Sequence, residues 1–326
     1  MATRRPSAAG PVGLPRLSPM LASPGRLPSA AVDGLYGYEV KWDGARLLVY
    51  CSGDGTARPV TRTGRDASGT YPELAALGAS LRRPAILDGE VVVLDERGRP
   101  DFGALQTRMT VRDGARAGRL ARTTPVHLMI FDVLHLDGRS LLTESYTARR
   151  GELLGLGLAG ARWATPAHTV GHGRRAFELT REQGFEGIVC KLLTSPYRPG
   201  VRSDEWIKIK HQVRIDVVIG GWLPVRGRSG GVPGALLVGV AEAGGLRFVG
   251  AVGSGMSGAE QRQLAELFAV VPRETSPFAG PVSEGRGARW VEPRLVAEVS
   301  ATGWTSGGYL RHPVFERLRP GLARPV

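Results

Sequence analysis

The pattern of apolar and polar positions changes character once along the chain, near residues 211–214. Before that point, apolar runs typical of β-strands alternate with shorter helical stretches. The predicted strands are 36–51, 86–94, 126–134, 186–193 and 205–210, and the predicted helices are 71–82, 102–109, 145–154 and 173–183. After it, glycine-rich turns separate predicted strands at 215–222, 235–241, 246–252 and 294–300, with one helix at 258–269. The first pattern predicts a mixed α+β domain and the second a small β-barrel.

These changes divide the chain into three predicted segments. Residues 1–16 are rich in Arg, Pro, Ala and Gly without periodicity, which predicts a disordered lead-in. Residues 17–211 would form the α+β domain and residues 212–326 the barrel. With 326 residues and 42% hydrophobic side chains, each domain has enough apolar material for its own core.

Charge and cysteine content narrow the class of protein. The net charge of +13 implies an anionic partner, with nucleic acid as the first candidate. A solvated surface or an enzyme that binds only nucleotides are the alternatives. Two cysteines cannot form a four-cysteine zinc site and are expected to be free thiols in a reducing compartment. Since no signal sequence or 18-residue apolar stretch is visible, we expect a cytoplasmic protein without membrane contact.

Lysine is rare in this basic chain. Only four of the 43 basic residues are lysine, at positions 41, 191, 208 and 210, and they fall in three short segments. Arginine stays protonated in proteins, whereas lysine can lose its proton and act as a nucleophile. Codon bias is the alternative explanation, but the clustering favours a chemical one.

Alternation within two predicted strands places charged residues together. In the segment 38–43, Glu39, Lys41 and Asp43 would share one face, although an edge strand with solvated ion pairs would look the same. In 206–210, Lys208 and Lys210 would share a face suited to phosphates.

Two acidic residues, Glu90 and Glu186, lie within apolar runs, where a carboxylate needs a partner. Metal ligation, ribose hydrogen bonding and a structural ion pair are the possible partners.

These segments occur in an order that resembles the nucleotidyltransferase motifs of ATP-dependent DNA ligases, most closely the ligase domain of bacterial end-joining (ligase D type) enzymes. The similarity extends from about residue 17 to residue 320. The motifs are Glu39-x-Lys41-x-Asp43-Gly44-x-Arg46, Asp88-Gly89-Glu90, Phe131-Asp132, Glu186-Gly187-x-x-x-Lys191 and Trp206-x-Lys208-x-Lys210, with flanking segments such as Thr61-Arg62-Thr63-Gly64.

The resemblance implies a nucleotidyltransferase (adenylation) domain followed by an OB-fold barrel, and a ligase that seals nicked double-stranded DNA. Lys41 would form a lysyl-adenylate with ATP, and Glu90 and Glu186 would position Mg²⁺ or Mn²⁺. Phe131 would stack on adenine. The other implied nucleotide and phosphate contacts are Glu39, Arg46, Arg62, Glu90, Lys191, Arg202, Lys208 and Lys210. Strand parity places Lys191 opposite Glu186, so its assignment depends on a twist or bulge.

One motif departs from the family. Its last motif commonly reads Arg-x-Asp-Lys, whereas this chain has Arg319-Pro320-Gly321-Leu322. Self-adenylation is therefore expected to be slow unless Arg311, Arg317 or Arg324 substitutes.

The alternatives are an RNA ligase or capping-type nucleotidyltransferase, and a non-catalytic DNA-binding homologue. We further expect a role in DNA repair, recombination or end joining, and association with the nucleoid. The chain is expected to lack polymerase and nuclease modules. Arg226 and Arg228 are expected to contact DNA phosphates.

Overall fold

The computed structural model describes residues 13–225, 231–283, 285–305 and 307–319. The chain divides into two compact units, Met1–Lys210 and His211–Val326. Most of the predicted lead-in lies outside the described residues, as do Arg226, Arg228, Arg324 and residues 320–322. Within the described part of the lead-in, Leu14 is buried against the first unit's core.

The first unit contains two sheets. Its strands are β1 (Leu21–Pro24), β2 (Tyr36–Val40), β3 (Ala45–Ser52), β4 (Ala57–Thr61), β5 (Pro84–Val93), β6 (Val126–Leu136), β7 (Arg139–Ser140), β8 (Ala159–Gly160), β9 (Trp163–Ala164), β10 (His168–Val170), β11 (Gly187–Leu192) and β12 (Arg202–Lys210). One sheet has the order β1-β12-β11-β2-β10. The other has the order β4-β3-β5-β6-β9-β8, with β7 paired to β6. The long strands β5 and β6 are buried along nearly their whole length, which explains their almost continuous apolar sequences.

Helices cover these sheets. They are α1 (Ala76–Leu81), α2 (Phe102–Met109), α3 (Gly114–Thr123), α4 (Tyr146–Gly155) and α5 (Gly173–Glu182), with 3-10 turns at Asp33–Leu35 and Pro72–Ala75. Asp101, Asp113 and Ser145 begin α2, α3 and α4 by accepting a backbone N–H bond from the residue three positions later. The predicted bounds of α2 are confirmed.

The sequence prediction missed α3. This helix has little apolar periodicity, because Ala117 is its only fully buried residue and three of its ten residues are arginine. The prediction also joined β2 and β3 into one strand, whereas a turn over residues 41–44 separates them. Close packing explains the glycine in this turn, because a Cβ at Gly44 would lie 2.3 Å from the carbonyl oxygen of Val91.

The second unit is built on one six-stranded sheet. Its strands are β13 (Val213–Pro224), β14 (Pro233–Glu242), β15 (Gly245–Val252), β16 (Pro272–Arg273), β17 (Arg289–Ala301) and β18 (Val314–Arg319). The order is β15-β14-β13-β17-β16, with β18 also paired to β17. The sequence predicted a closed barrel, but the strand pairing among the described residues forms an open sheet. Helix α6 (Gly258–Ala269), begun by the Ser257–Glu260 capping box, confirms the predicted helix.

Cys51 and Cys190 are free and buried, as predicted. Among the described helices, none is both long and apolar enough to span a membrane.

Candidate active site

A cavity of about 530 Å³ in the first unit brings most of the predicted site residues together. This volume lies within the range of small-molecule and cofactor sites and is large enough for a nucleotide. Apolar side chains, including Val40, Val189 and Trp206, cover part of its wall. The predicted site residues that line it are Glu39, Lys41, Arg46, Arg62, Glu90, Phe131, Lys191, Arg202 and Lys208. Lys210 and Glu186 are not in the lining, but both are linked to Lys41 through ion pairs.

Lys41 lies immediately after β2, with its backbone N–H donating to the carbonyl of Gly187 at 2.9 Å. Its Nζ is ion-paired with Glu186, whose other oxygen lies 2.5 Å from Nζ of Lys210. The predicted carboxylate therefore connects two predicted lysines. Burial raises the pKa of Glu186, but Lys41 and Lys210 outweigh burial and hold this pKa below its usual value.

Gly187 allows this arrangement. Its φ of +154° disfavours other residues, and a Cβ here would lie only 2.0 Å from the carbonyl oxygen of Ile209. The close approach of β11 and β12 at this point brings Glu186 beside Lys210. A side chain at position 187 would separate the two strands and with them the ion pairs.

Glu90 faces the cavity from β5, directly opposite Arg46 in the register of β3 and β5. No described residue donates a hydrogen bond to its carboxylate. Burial raises the pKa of Glu90 to about 7, although Arg46 and Lys41 oppose the rise. A carboxylate in this environment gains stability from an added cation.

Arg46 faces the cavity and is also paired with the buried Asp88. Its Nε and Nη2 lie 2.5 and 2.6 Å from the two oxygens of the buried Asp88, which also accepts a hydrogen bond from the hydroxyl of Tyr197. The guanidinium carbon lies 4.6 Å from the ring centroid of Phe131. Asp88 therefore fixes the guanidinium of Arg46 beside the aromatic wall of the cavity.

Glu39 lies in an enclosed network at the inner wall. Its carboxylate is 2.8 Å from Nζ of Lys191 and accepts a 2.6 Å hydrogen bond from the hydroxyl of Tyr146. Burial raises the pKa of Glu39, but Lys191 and Arg150 outweigh it and lower this pKa overall. One oxygen of Glu39 is thus held by the hydroxyl of Tyr146 and the other by the charge of Lys191.

Lys191 is almost fully buried at 2% exposure. Aromatic rings surround its Nζ, which lies 4.5 Å from the centroid of Phe131, 4.4 Å from Trp206 and 5.1 Å from Tyr146. Burial lowers the pKa of Lys191, and Glu39 opposes this change. The sequence predicted that Glu186 and Lys191 lie on opposite faces of one strand. In the structure Glu186 lies just before β11, and Lys191, within β11, lines the cavity. Lys191 contacts Glu39 there.

The remaining predicted cations lie at other points of the cavity wall. Burial, reinforced by Arg202 and Lys41, lowers the pKa of Lys208. Arg202 donates to the carbonyl of Ala22 at 2.6 Å, and Arg62 is exposed. These side chains give the cavity the positive charge that a phosphate chain requires.

Sequence reasoning missed Tyr146. This residue lies 107 positions from Glu39, and the sequence placed it only within the predicted helix 145–154. No periodic pattern predicts which strand residue such a helix will contact.

The acidic side chains of the site show whether it could hold the predicted Mg²⁺ or Mn²⁺. No cluster of three or more His, Cys, Asp or Glu side chains suited to a metal is found in the described ranges. The donor set is nonetheless compatible with a hard cation, since Glu90 has no donor among the described residues and Mg²⁺ is commonly held by one or two carboxylates together with substrate phosphates.

Comparison with known proteins identifies the family. Residues 19–210 match the model of the ATP dependent DNA ligase domain, and residues 229–321 match that of the ATP dependent DNA ligase C terminal region. The chain belongs to the ATP-dependent DNA ligase family. This confirms the predicted fold class, a nucleotidyltransferase unit followed by an OB-type domain, and the predicted enzyme class.

Several ligases resemble this chain. The multifunctional non-homologous end joining DNA repair protein LigD of Mycobacterium tuberculosis is 41% identical over 308 residues, which are 93% of this chain and 38% of that protein. The chain therefore spans little more than a third of the length of this relative. DNA ligase C1 of Mycolicibacterium smegmatis is 33% identical, and the alignment covers 94% of this chain and 90% of that ligase.

Solved structures agree with these sequence matches. The ligase domain of M. tuberculosis LigD is 39% identical with a TM-score of 0.55, covering 93% of this chain and 95% of that one. A mycobacterial DNA ligase D solved with ATP and MES is 40% identical with a TM-score of 0.56, covering 94% and 96%.

Proposed function

We propose that this ligase joins the 3′-hydroxyl and 5′-phosphate of nicked duplex DNA through an adenylate on Lys41, in the repair of DNA breaks by end joining. The observation that carries the proposal is the position of Lys41. Its Nζ faces a nucleotide-sized cavity and is held by Glu186, which Lys210 also contacts.

In the first step, Nζ of Lys41 attacks the α-phosphate of ATP, so that a phosphorus–nitrogen bond forms and pyrophosphate leaves. The amine must be neutral to attack, so it gives up a proton before the phosphorus–nitrogen bond forms. In the structure Nζ is ion-paired with Glu186, so this contact must open as Nζ approaches the phosphorus. Lys208 and Arg202 neutralise phosphate charge at the cavity wall.

In the second step the adenylate moves from Lys41 to the 5′-phosphate of the nick, and in the third the 3′-hydroxyl attacks that phosphate and releases AMP. Each step is a displacement at phosphorus, for which positioning and charge neutralisation provide most of the catalysis. Phe131 would stack on adenine, with Arg46 and Glu39 held beside it by Asp88, Tyr146 and Lys191.

Glu90 and Glu186 are the residues that would hold Mg²⁺ or Mn²⁺. The ion would offset phosphate charge and lower the affinity of nearby groups for protons. Arg62, Lys191 and Lys210 remain proposed nucleotide or phosphate contacts, of which Lys191 acts through Glu39.

The cellular role rests on the relatives. Their names support end joining and DNA repair, and we extend these roles, with cytoplasmic localisation and nucleoid association, to this chain as part of the proposal. Repair or end-joining proteins would be its partners.

Intact mass after incubation with ATP and a divalent cation tests the first step. The wild-type chain should gain one adenylate, and Lys41→Arg should gain none, because guanidinium does not become a neutral nucleophile. Lys41→Arg should still seal a nick whose 5′-phosphate already carries AMP. This substrate is the control for correct folding.

The same assay separates the alternatives. Labelling by GTP or preferential sealing of RNA nicks would indicate an RNA ligase or capping-type enzyme. Failure of the wild-type chain to become labelled would indicate a non-catalytic homologue, and labelling of Lys41→Arg would place the nucleophile elsewhere.

A further inference from the structure

We infer that the arginines on and just before helix α3 form a binding surface for the phosphate backbone of the duplex that flanks the nick. The inference rests on the proposed function and identifies a DNA-binding surface outside the cavity. We call this surface the α3 arginine face. It consists of Arg112, Arg116, Arg119 and Arg122, all of which are exposed.

The charge of the α3 arginine face is not neutralised by neighbouring acids. No described carboxylate forms a salt bridge with any of its four arginines. Asp113 is the only acidic residue between positions 102 and 131, and its side chain caps the helix by accepting from the backbone N–H of Arg116 at 2.6 Å. The guanidinium contacts of Arg112 and Arg122 are with backbone carbonyls, which leave the positive charge in place.

Other exposed arginines of the first unit provide the contrast. Arg83, Arg139, Arg175 and Arg198 are about half exposed, and each pairs with an aspartate or glutamate. These pairs cancel much of the local charge that a polyanion would encounter. The α3 arginine face therefore differs from them in net charge and not in exposure.

Helical geometry arranges the arginines in a row. Arg116, Arg119 and Arg122 are three residues apart, so they cover an arc of about 120° and a length of about 9 Å. Phosphates of one DNA strand advance by about 3.4 Å along the axis. Long arginine side chains at this spacing can reach neighbouring phosphates of one strand.

A buried clamp fixes α3 to the core. Nη1 of Arg108 donates to the carbonyl of Thr124 at 2.6 Å, next to the end of the helix, and the same guanidinium pairs with Glu73 at 2.8 Å. Glu73 also accepts from the backbone N–H of Val126 at 3.0 Å, and Ala117 is completely buried. The row of charges is thus presented on a rigid element, which reduces the entropy lost on binding.

The α3 arginine face begins beside the cavity. Met109, at the end of α2, lines the cavity, and Nη1 of Arg112 donates to its carbonyl at 3.2 Å. Tyr71 lines the cavity as well. Burial raises the pKa of Tyr71, and the charges of Arg108, Arg65 and Arg112 oppose this rise. A strand whose nick lies at the cavity could therefore continue along α3.

The test compares two quadruple variants. Alanine replaces Arg112, Arg116, Arg119 and Arg122 in the first, and Arg83, Arg139, Arg175 and Arg198 in the control. Affinity for a nicked duplex is measured as a function of salt. Loss of four phosphate contacts should reduce the log–log slope by roughly 3 to 4, so the fall in affinity between 50 and 200 mM salt shrinks by about 100-fold. The control should change the slope much less.

Labelling by ATP shows that each variant has a folded first unit. If the first quadruple variant is not labelled, the four single variants replace it, each with an expected slope change of about one. An unchanged slope, or an equal change in the control, would overturn the inference. If wild type is not labelled and seals no nick, the proposed function fails instead, whatever the slopes are.

Duplex length locates the contact. Shortening the duplex on one side of the nick should weaken wild-type binding and leave the first quadruple variant nearly unaffected, because that variant no longer holds the removed phosphates. Equal losses in both proteins would place the contacted phosphates elsewhere. Equal affinity of wild type for single-stranded DNA would contradict a duplex-binding surface.

Discussion

The two units differ in how they enclose charge. In the first unit both partners of several ion pairs are buried: Arg108 and Glu73 are 0% and 7% exposed, and Arg149 and Asp132 are 0% and 1% exposed. In the second unit Glu298 is 3% exposed, but its partners Arg214 and Arg317 are 70% and 60% exposed. Several ion pairs of the first unit are thus enclosed on both sides, whereas the ion pairs of Glu298 in the second unit border solvent.

This difference affects what each ion pair can do. A pair enclosed on both sides has a fixed position, and loss of one partner leaves an uncompensated buried charge. A partner in solvent can be replaced by water or salt at little cost. The enclosed Glu39–Lys191 pair therefore suits a site that must hold a nucleotide in one position, and the Glu298 cluster suits an adjustable surface.

Arg108→Met tests the largest consequence of this comparison. Removal of the guanidinium leaves Glu73 buried and the carbonyl of Thr124 without its donor, so the free energy of unfolding should fall by about 3–5 kcal/mol. Arg317→Met in the second unit is the matched control and should change it little, because the side chain is largely solvated. Urea unfolding measures both. Similar losses in the two variants would contradict the comparison.

Glu186→Ala tests whether the partly exposed charges around Lys41 serve chemistry. Lys41 and Lys210 would lose the carboxylate between them, and a bound metal ion would lose an oxygen ligand. We expect adenylation to fall by about 100-fold or more at every Mg²⁺ concentration, on the scale of an essential electrostatic group. Label transfer from ATP measures the rate, with the exposed Glu182→Ala as control. Near-normal labelling would make Glu186 a structural residue only.

Tyr146→Phe should have a smaller effect, on ATP binding. The hydroxyl of Tyr146 fixes one oxygen of Glu39, and loss of a hydrogen bond to a buried carboxylate costs about 1–3 kcal/mol. Part of that cost should appear as a roughly tenfold higher KM for ATP in adenylation, with a smaller change in kcat. Tyr309→Phe, in the second unit, is the control. A change in kcat alone would show that Tyr146 does not position the nucleotide.

The sequence predicted local patterns well and distant partners poorly. Periodicity located α2 and α6 and the strands that carry Glu39, Glu90 and Lys208, because each depends on residues close in sequence. It missed α3, whose position depends on the buried clamp by Arg108. The motif order placed Lys41 and Glu186 in one site. Their direct ion pair joins positions 145 residues apart, and spacing alone contains no information about such a contact.

The altered last motif also has partners that are distant in sequence and that the sequence did not predict. Arg317 and Arg319, at the end of β18, lie 2.9 and 2.7 Å from Glu298, and Arg319 also lies 3.0 Å from Asp216. These partners come from β17 and β13, which the sequence pattern did not connect to the motif. Whether Arg311 or Arg317 replaces the missing lysine and acid of the motif stays a prediction.

The smallest expected effect is the pH response of the Glu298 cluster. The hydrogen bond from Arg317, with the charges of Arg319 and Arg214, lowers the pKa of Glu298. A lowered pKa gives stability that is present above the unfolded value, near 4.3, and is lost as the pH falls through the folded pKa. Protection of the amide hydrogens in β17 and β18, measured relative to the intrinsic exchange rate at each pH, should therefore decrease with acidification below about pH 4, and less so in Glu298→Gln. Because the arginines are exposed, high salt should weaken this pH dependence, whereas exchange in β6, beside the enclosed Arg149–Asp132 pair, should respond little to salt. Equal salt sensitivity in the two units would show that solvent screens both kinds of ion pair alike.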